Sequence, residues 1–166
     1  WDVAAGGFVE TDVDRLADQA IAVIDRAAGD AGGRGQVLGV GITGLAETGV
    51  IIDARGRPIM PAMAWYDQRG RDELSALPAE TRWQFSAATG LAAKAECSFA
   101  KLLWWRSSGE TVPAGAMWLN ALEYIAYRLT GVRATEPSLA SRTGLLHQAS
   151  VSPYDSALDM IGATAS

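Results

Sequence analysis

Three neighbouring stretches decide the fold of this chain: Gly41-Ile-Thr-Gly-Leu-Ala-Glu-Thr48, Val50-Ile-Ile-Asp-Ala-Arg-Gly-Arg-Pro58 and Ala64-Trp-Tyr-Asp-Gln-Arg69. The apolar, β-branched run over residues 36–43 predicts a strand buried on both faces. A second strand over residues 49–53 and a return strand over residues 62–65 follow it. The turn between them has Asp and Gly where a type I turn prefers them. We therefore predict an α/β domain whose sheet is built from these strands.

Helices are predicted before and after these strands. Thr11 and Asp14 form a T-x-x-D capping box at the start of an amphipathic helix over residues 12–28. Residues 114–130 carry the strongest helical pattern of the chain, whereas residues 135–146 are predicted to be short and irregular. Four tryptophans on helical patterns are predicted to pack in the core: Trp83, Trp104, Trp105 and Trp118.

Polar and aromatic residues follow the predicted strand ends. Trp65 ends the return strand beside Asp67 and Arg69, and Glu47 lies in a turn just past the first strand. A carboxylate in such a turn can accept hydrogen bonds from two vicinal hydroxyls, so this edge of the sheet has the parts of a sugar or polyol site. Two alternatives stay open. In the first, Glu47 is an ordinary exposed loop residue without a binding role. In the second, Asp67 and Arg69 form a salt bridge that only fixes the chain after the strand.

The other motifs are weaker evidence for a functional site. Residues 39–44 match G-x-G-x-x-G, but a β-hairpin follows them where a dinucleotide site needs a helix N-terminus. Close packing of the strand backbone explains these glycines better. His147 is the only histidine and Cys97 the only cysteine. Their neighbours indicate neither a metal site nor a nucleophile, and we predict a loop histidine and a small buried cysteine.

The bulk composition narrows the class of protein. The chain has 166 residues, a formal net charge of −5 and a pI near 4.8. We therefore expect neither nucleic acid nor an anionic membrane as its main partner. It has no apolar run of the roughly 20 residues that cross a bilayer and no signal-peptide pattern, so we expect a cytoplasmic protein. Because it starts at Trp1 instead of Met, we expect a piece of a longer protein.

The order and spacing of several motifs resemble one protein family across nearly the whole chain. The motifs are Gly41–Glu47, Asp53–Pro58 (D-x-x-G-x-P), Trp65–Arg69 (W-x-D-x-R), Thr89–Leu91, Lys101–Trp104 (K-x-x-W), Glu123–Gly131 and Thr135–Leu146. Each motif is modest by itself. In register, they resemble the first domain of the FGGY family of carbohydrate kinases.

The resemblance implies an actin-like ATPase, ribonuclease H-like domain with a mixed central sheet flanked by helices. It implies that residues 1–166 are an incomplete first, sugar-binding domain that lacks the D-x-G-T phosphate-binding hairpin and the second domain. ATP and Mg²⁺ are implied as cofactors, with binding parts mostly outside these residues, so no catalytic residue and no metal ligand is assigned here. A homodimer is left open. The expected substrate-binding residues are Glu47, Trp65, Asp67, Arg69, Ala46 and Glu96, with Lys94 on the loop that could cover the sugar.

The substrate turn departs from two patterns of this family. Glycerol kinases carry Arg-Glu-Thr where this chain has Ala46-Glu47-Thr48, and xylulose kinases carry Met-His in that turn. Glycerol kinases also place a tyrosine where Glu96 stands. The resemblance therefore implies pentulose kinase-like phosphorylation of an unusual ketose or sugar alcohol. Two alternatives are a catalytically inactive sugar-binding or regulatory module on the same fold, and a protein-interaction scaffold with Trp65 buried and no cleft beside Glu47.

Overall fold

The computed structural model describes residues 1–4 and 6–163, which form an α/β domain with a five-stranded sheet, a two-stranded sheet and seven α-helices. The strands of the central sheet are β1 (Asp2–Val3), β2 (Val9–Thr11), β3 (Gly49–Ile52), β4 (Ala62–Met63) and β5 (Met117–Asn120). Their spatial order is β1-β2-β4-β3-β5. The small sheet pairs β6 (Leu146–His147) with β7 (Ser152–Pro153). Every pairing among these described strands is antiparallel, where a mixed sheet was expected.

The helices flank the central sheet and alternate with its strands along the chain. They are α1 (Val13–Asp30), α2 (Arg71–Ala76), α3 (Ala79–Thr89), α4 (Ser98–Ser107), α5 (Ala121–Thr130), α6 (Pro137–Arg142) and α7 (Asp155–Ile161). The predicted capping box at the start of α1 is wrong. Asp12 is the N-cap, and its Oδ1 accepts hydrogen bonds from the amides of Asp14 at 2.9 Å and Arg15 at 3.2 Å. An aspartate is at least as good a cap as the threonine one residue earlier.

The hairpin between β3 and β4 forms as predicted. The Gly56 amide donates to the Asp53 carbonyl at 2.9 Å, and Asp53 Oδ1 accepts from the amides of Arg55 and Arg57. These bonds are those of a tight turn opened by an Asx side chain.

Residues 36–43 are not the predicted buried strand. Residues 37–43 have no strand partner among the described residues, and Val37, Leu38 and Val40 are exposed. A strand becomes stable when a neighbour satisfies its backbone N–H and C=O groups, and the described sheet supplies none here. A Cβ on Gly39 or Gly41 would meet no atom within 4 Å, so close packing does not explain those glycines.

Residues 114–130 contain a strand followed by a helix, so the single predicted helix is wrong in its first half. Leu119 pairs with Val50 and Trp118 with Ile51, which makes β5 the neighbour of β3. A short apolar run can be a strand or part of a helix, and periodicity alone does not separate them. The helix starts only after Asn120, whose amide donates to Glu123 Oε2 at 2.8 Å.

One contiguous core joins the central sheet to the helices. Phe85 of α3 and Phe99 of α4 stack in it with ring centroids 4.9 Å apart. Trp118 is buried and Trp104 and Trp105 are half-buried, as predicted. Trp83 is 66% exposed, so its predicted core position is wrong. The core also contains one fully buried lysine, Lys101 of α4.

Gly70, the residue before α2, lies against the backbone of α4. It has φ +86°, and a Cβ there would lie 2.0 Å from the Ala100 carbonyl oxygen of α4. Gly109 has nearly the same backbone, φ +88°, but a Cβ there would meet nothing within 4 Å. A comparison of alanine substitutions at these two positions therefore separates the cost of backbone strain from the cost of a steric clash.

We expect Gly109→Ala to lower the free energy of unfolding by about 1 kcal/mol, the cost of a left-handed alanine. Gly70→Ala should lower it by about 2–3 kcal/mol more, because α2 and α4 must move apart. Urea unfolding of both variants measures the difference. Equal losses would mean that the α2–α4 contact is not tight.

Candidate functional site

A cavity of about 530 Å³ lies where the turn before β3, the end of β4 and the loop before α4 meet. Its lining residues are Leu45, Glu47, Trp65, Gly90, Leu91, Ala92, Lys94, Glu96, Cys97 and Arg142. Three of the predicted site residues therefore share one cavity: Glu47, Trp65 and Glu96. Lys94 is there as well, whereas Ala46, Asp67 and Arg69 are not among the lining residues.

Glu47 is held in an unusual backbone conformation. Its φ is +67°, which non-glycine residues rarely adopt. Its amide donates to Oδ1 of Asn120 at 3.0 Å, and the buried Asn120 is fixed in turn because its Nδ2 donates to Glu123 Oε2 at 2.8 Å. Backbone strain of this kind persists only where surrounding contacts enforce it, and it concentrates at binding sites.

The Glu47 carboxylate is paired inside the cavity. Arg142 Nε donates to Glu47 Oε1 at 2.8 Å, and Arg142 Nη2 lies 2.5 Å from the same oxygen. Arg142 ends α6, in the segment that the sequence predicted to be irregular. No motif identified it, because its partner lies 95 residues away in the chain.

Trp65 presents an aromatic surface at the mouth of the cavity. It is 40% exposed, and its amide donates to Thr48 Oγ1 at 2.9 Å, which joins the end of β4 to the turn that carries Glu47. Its ring meets that of Tyr66 edge to face, with centroids 5.5 Å apart.

Lys101 links two walls of the cavity through hydrogen bonds. Its ammonium donates to three backbone carbonyl oxygens, those of Ala95 at 2.6 Å, Trp65 at 3.2 Å and Glu96 at 3.3 Å. Burial lowers the pKa of this ammonium below its ordinary value, against the attraction of nearby acidic groups. All three of its donors are used, so a lysine here fixes the loop against the end of β4.

Asp67 and Arg69 form the buried salt bridge that was the alternative from the sequence. Arg69 donates to Asp67 from Nε and Nη2, both at 2.9 Å, and the Val9 amide donates to Asp67 Oδ2 at 2.6 Å. The Arg69 guanidinium lies over the rings of Phe8 and Trp104, 4.5 and 5.0 Å from their centroids. Both residues therefore connect the chain after β4 to β2 and α4 and do not face the cavity.

The surroundings of Asp67 set its charge. Burial acts to raise the pKa of its carboxyl, but the hydrogen bonds from the Arg69 side chain and from the Arg69 and Val9 amides outweigh burial and hold the pKa below its ordinary value. Asp67 is therefore ionised in the folded protein.

The remaining candidate residues show no catalytic arrangement. Burial raises the pKa of the Cys97 thiol, whose Sγ donates to the Lys94 carbonyl at 3.0 Å, so it is a protonated, buried side chain. His147 Nδ1 lies 3.0 Å from Ser150 Oγ. In residues 1–4 and 6–163, no three His, Cys, Asp or Glu side chains are grouped to hold a metal ion. No helix of that same part of the chain has the length and apolar character to cross a membrane.

Residues 2–166 match the family model described as "FGGY family of carbohydrate kinases, N-terminal domain". Among curated proteins, the chain is 33% identical to the glycerol kinase of Rhodospirillum centenum over 153 residues, 86% of this chain and 31% of that protein. It is 30% identical to the glycerol kinase of Haloferax volcanii over 159 residues, 85% of this chain and 31% of that protein. The chain spans about a third or less of the length of the curated relatives it matches.

Two solved structures resemble the fold closely. A gluconate kinase from Lactobacillus acidophilus has a TM-score of 0.84 at 20% identity, over 99% of this chain and 33% of that one. A xylulose kinase from Rhodospirillum rubrum has a TM-score of 0.82 at 25% identity, over 97% of this chain and 34% of that one. These matches confirm the predicted fold of actin-like type.

We expect Asp67→Asn to destabilise the protein by about 3 kcal/mol at pH 7, because the buried Arg69 loses its fully buried carboxylate and keeps, among the described residues, only the partly exposed Glu10. The native carboxylate contributes stability above its ordinary pKa and loses it as pH falls through the lowered pKa of the folded state. The gap between wild type and variant should therefore shrink below about pH 4. Urea unfolding from pH 7 to pH 3 measures this, with Asp25→Asn in the exposed Arg34 pair as control. A gap independent of pH would contradict the assignment.

Lys101→Met should lower the free energy of unfolding by at least about 2 kcal/mol, since three carbonyl oxygens lose their donor. Amide hydrogen exchange should accelerate in residues 95–97, next to those carbonyls. The exposed Lys94→Met serves as control and should leave the stability within about 0.5 kcal/mol. Unchanged exchange in the loop would show that Lys101 does not hold it.

Proposed function

The chain belongs to the FGGY family of carbohydrate kinases, and on that basis we propose that the complete protein transfers a phosphoryl group from ATP to a hydroxyl of a sugar or polyol. We propose that residues 1–166 are an incomplete first domain that supplies the sugar site. The phosphate-binding hairpin and the second domain would come from further sequence. The match covers 31% of the length of two curated relatives, which supports this division.

The single observation that carries this proposal is the cavity that joins Glu47 to Trp65. Glu47 Oε2 has no hydrogen-bond donor among the described residues, so it is available to accept a substrate hydroxyl. The exposed face of Trp65 offers an apolar surface to the carbon skeleton of a sugar. Lys94 and Glu96 add a donor and an acceptor on the opposite loop.

We assign the residues of this chain to binding and positioning. ATP with Mg²⁺ would supply the transferable phosphoryl group and neutralise its charge. In the described residues no three His, Cys, Asp or Glu side chains are grouped to hold a metal ion, so we assign no residue of this chain to the metal. Glu47, Trp65, Lys94 and Glu96 would orient the acceptor hydroxyl, which is a large part of catalysis when two substrates must align. Asp67 and Arg69 would act indirectly, by fixing the chain that follows Trp65.

The cavity also weighs against the scaffold alternative. That alternative requires a buried Trp65 and no cleft beside Glu47, whereas Trp65 is 40% exposed at a cavity that Glu47 lines. We also propose a cytoplasmic location, as an ATP-dependent sugar kinase would need, and a pentulose-like or polyol substrate.

The first test is ATP consumption by the complete protein with a panel of ketoses, polyols and aldonates. Turnover with one of them is expected. In that assay Glu47→Ala should raise KM at least about tenfold, or 1.4 kcal/mol, because the substrate loses its acceptor. Glu47→Gly should do the same without unfolding the protein, since glycine adopts the left-handed backbone freely.

The exposed Glu110→Ala is the control and should leave KM unchanged. Unchanged KM in both Glu47 variants would remove Glu47 from the site. A folded complete protein that binds sugars, shown by a rise in melting temperature, but consumes no ATP would instead favour the catalytically inactive sugar-binding module.

A further inference from the structure

Arg142 contacts one oxygen of the Glu47 carboxylate, Oε1, and leaves the other, Oε2, free. Its Nε donates to Oε1 at 2.8 Å and its Nη2 lies 2.5 Å from the same oxygen. The Arg142 side chain is 52% exposed and that of Glu47 13% exposed, so the acid is the more enclosed partner. In the described part of the chain, neither Glu47 Oε2 nor Arg142 Nη1 makes a hydrogen bond, and both residues line the cavity.

The free acceptor of Glu47 and the free donor of Arg142 belong to residues that line the same cavity, and together they match a vicinal diol. One hydroxyl can donate to Glu47 Oε2 while its neighbour accepts from Arg142 Nη1, because a hydroxyl does both. The ion pair stays intact in this arrangement, so a neutral polyol or ketose binds without breaking an existing interaction.

A substrate carboxylate meets a different electrostatic environment. The charged side chains that line the cavity are two acids, Glu47 and Glu96, and two bases, Lys94 and Arg142. The buried Lys101 has all its donors bound to carbonyls and cannot turn toward a ligand. A carboxylate that accepted a hydrogen bond from Arg142 would lie near the Glu47 carboxylate, and the repulsion between these like charges opposes its binding.

We propose that the Arg142–Glu47 pair determines specificity, so that the site accepts neutral vicinal polyols or ketoses and rejects aldonates. This rests on the proposed sugar-kinase function and names its substrate class. The similarity to a gluconate kinase does not oppose it, since at 20% identity that similarity concerns the fold alone.

Matched pairs of probes test the proposal in the complete protein: D-glucitol with D-gluconate, xylitol with D-xylonate, and glycerol with glycerate. The members of a pair differ only in a terminal hydroxymethyl or carboxylate group. The wild-type protein should prefer the polyol of a pair at least about tenfold in kcat/KM. Glu47→Gln frees Arg142, so this preference should fall about tenfold or reverse.

Two arginine variants separate the pair from general charge effects. Arg142→Ala should weaken the polyol without a gain for the aldonate, because the acceptor loses its orientation and the aldonate gains no cation. Arg34→Ala removes an arginine from an exposed pair with Asp25 outside the cavity and should leave the preference unchanged.

The outcomes distinguish this proposal from the proposed function. Turnover with a preference for the aldonate, or a preference that Glu47→Gln does not change, overturns the specificity role and keeps the kinase. If neither these probes nor any ketose, polyol or aldonate of the wider panel is phosphorylated, the kinase fails, and shifts in melting temperature decide the specificity instead. Shifts with the polyols only support the role of Arg142; shifts with aldonates, or none at all, overturn it.

Discussion

The site depends on one buried ammonium group. Lys101 donates to the carbonyl oxygens of Trp65, Ala95 and Glu96, and in doing so it joins the end of β4 to the loop before α4. Burying a charge is costly unless every donor finds an acceptor, and this one finds three. A neutral side chain could fill the same space but could not hold three carbonyl oxygens in one place. The relative position of the two walls of the cavity is therefore an electrostatic property of the core.

A second constraint acts on the opposite wall. Glu47 stays in the left-handed region because Asn120 accepts a hydrogen bond from its amide, across 73 residues of sequence. Asn120 is itself the residue at which β5 becomes α5, so the end of a strand, the start of a helix and the site share one side chain. The Asp67–Arg69 pair fixes the chain that follows Trp65. Each wall is thus fixed by polar groups that do not line the cavity.

Much of this could be predicted from the sequence, for reasons that are local. The Asp53 turn, the helix over residues 13–30 and the glycine stops after α3 and α5 follow from turn and helix signals within a few residues. The strand over residues 36–43 and the first half of the helix over residues 114–130 were wrong because pairing decides them. Val50 had to find Leu119 for β5 to exist, and residues 37–43 find no partner among the described residues. Local composition does not encode that choice.

The candidate site could likewise be predicted only in part from the sequence. Glu47 and Trp65 were predicted from the turn and the strand end that carry them, and Glu96 from the family resemblance; all three line the cavity. Asp67 and Arg69 have the same residue types at the same kind of position, yet they face inward, because Phe8, Trp104 and the Val9 amide surround them. Arg142 was missed because it reaches Glu47 only through the fold. It follows that the acid in the turn and the cation that sets its chemistry lie on separate segments. Substitution at the end of α6 could therefore change which substrates are accepted while the turn, β3 and β4 stay as they are.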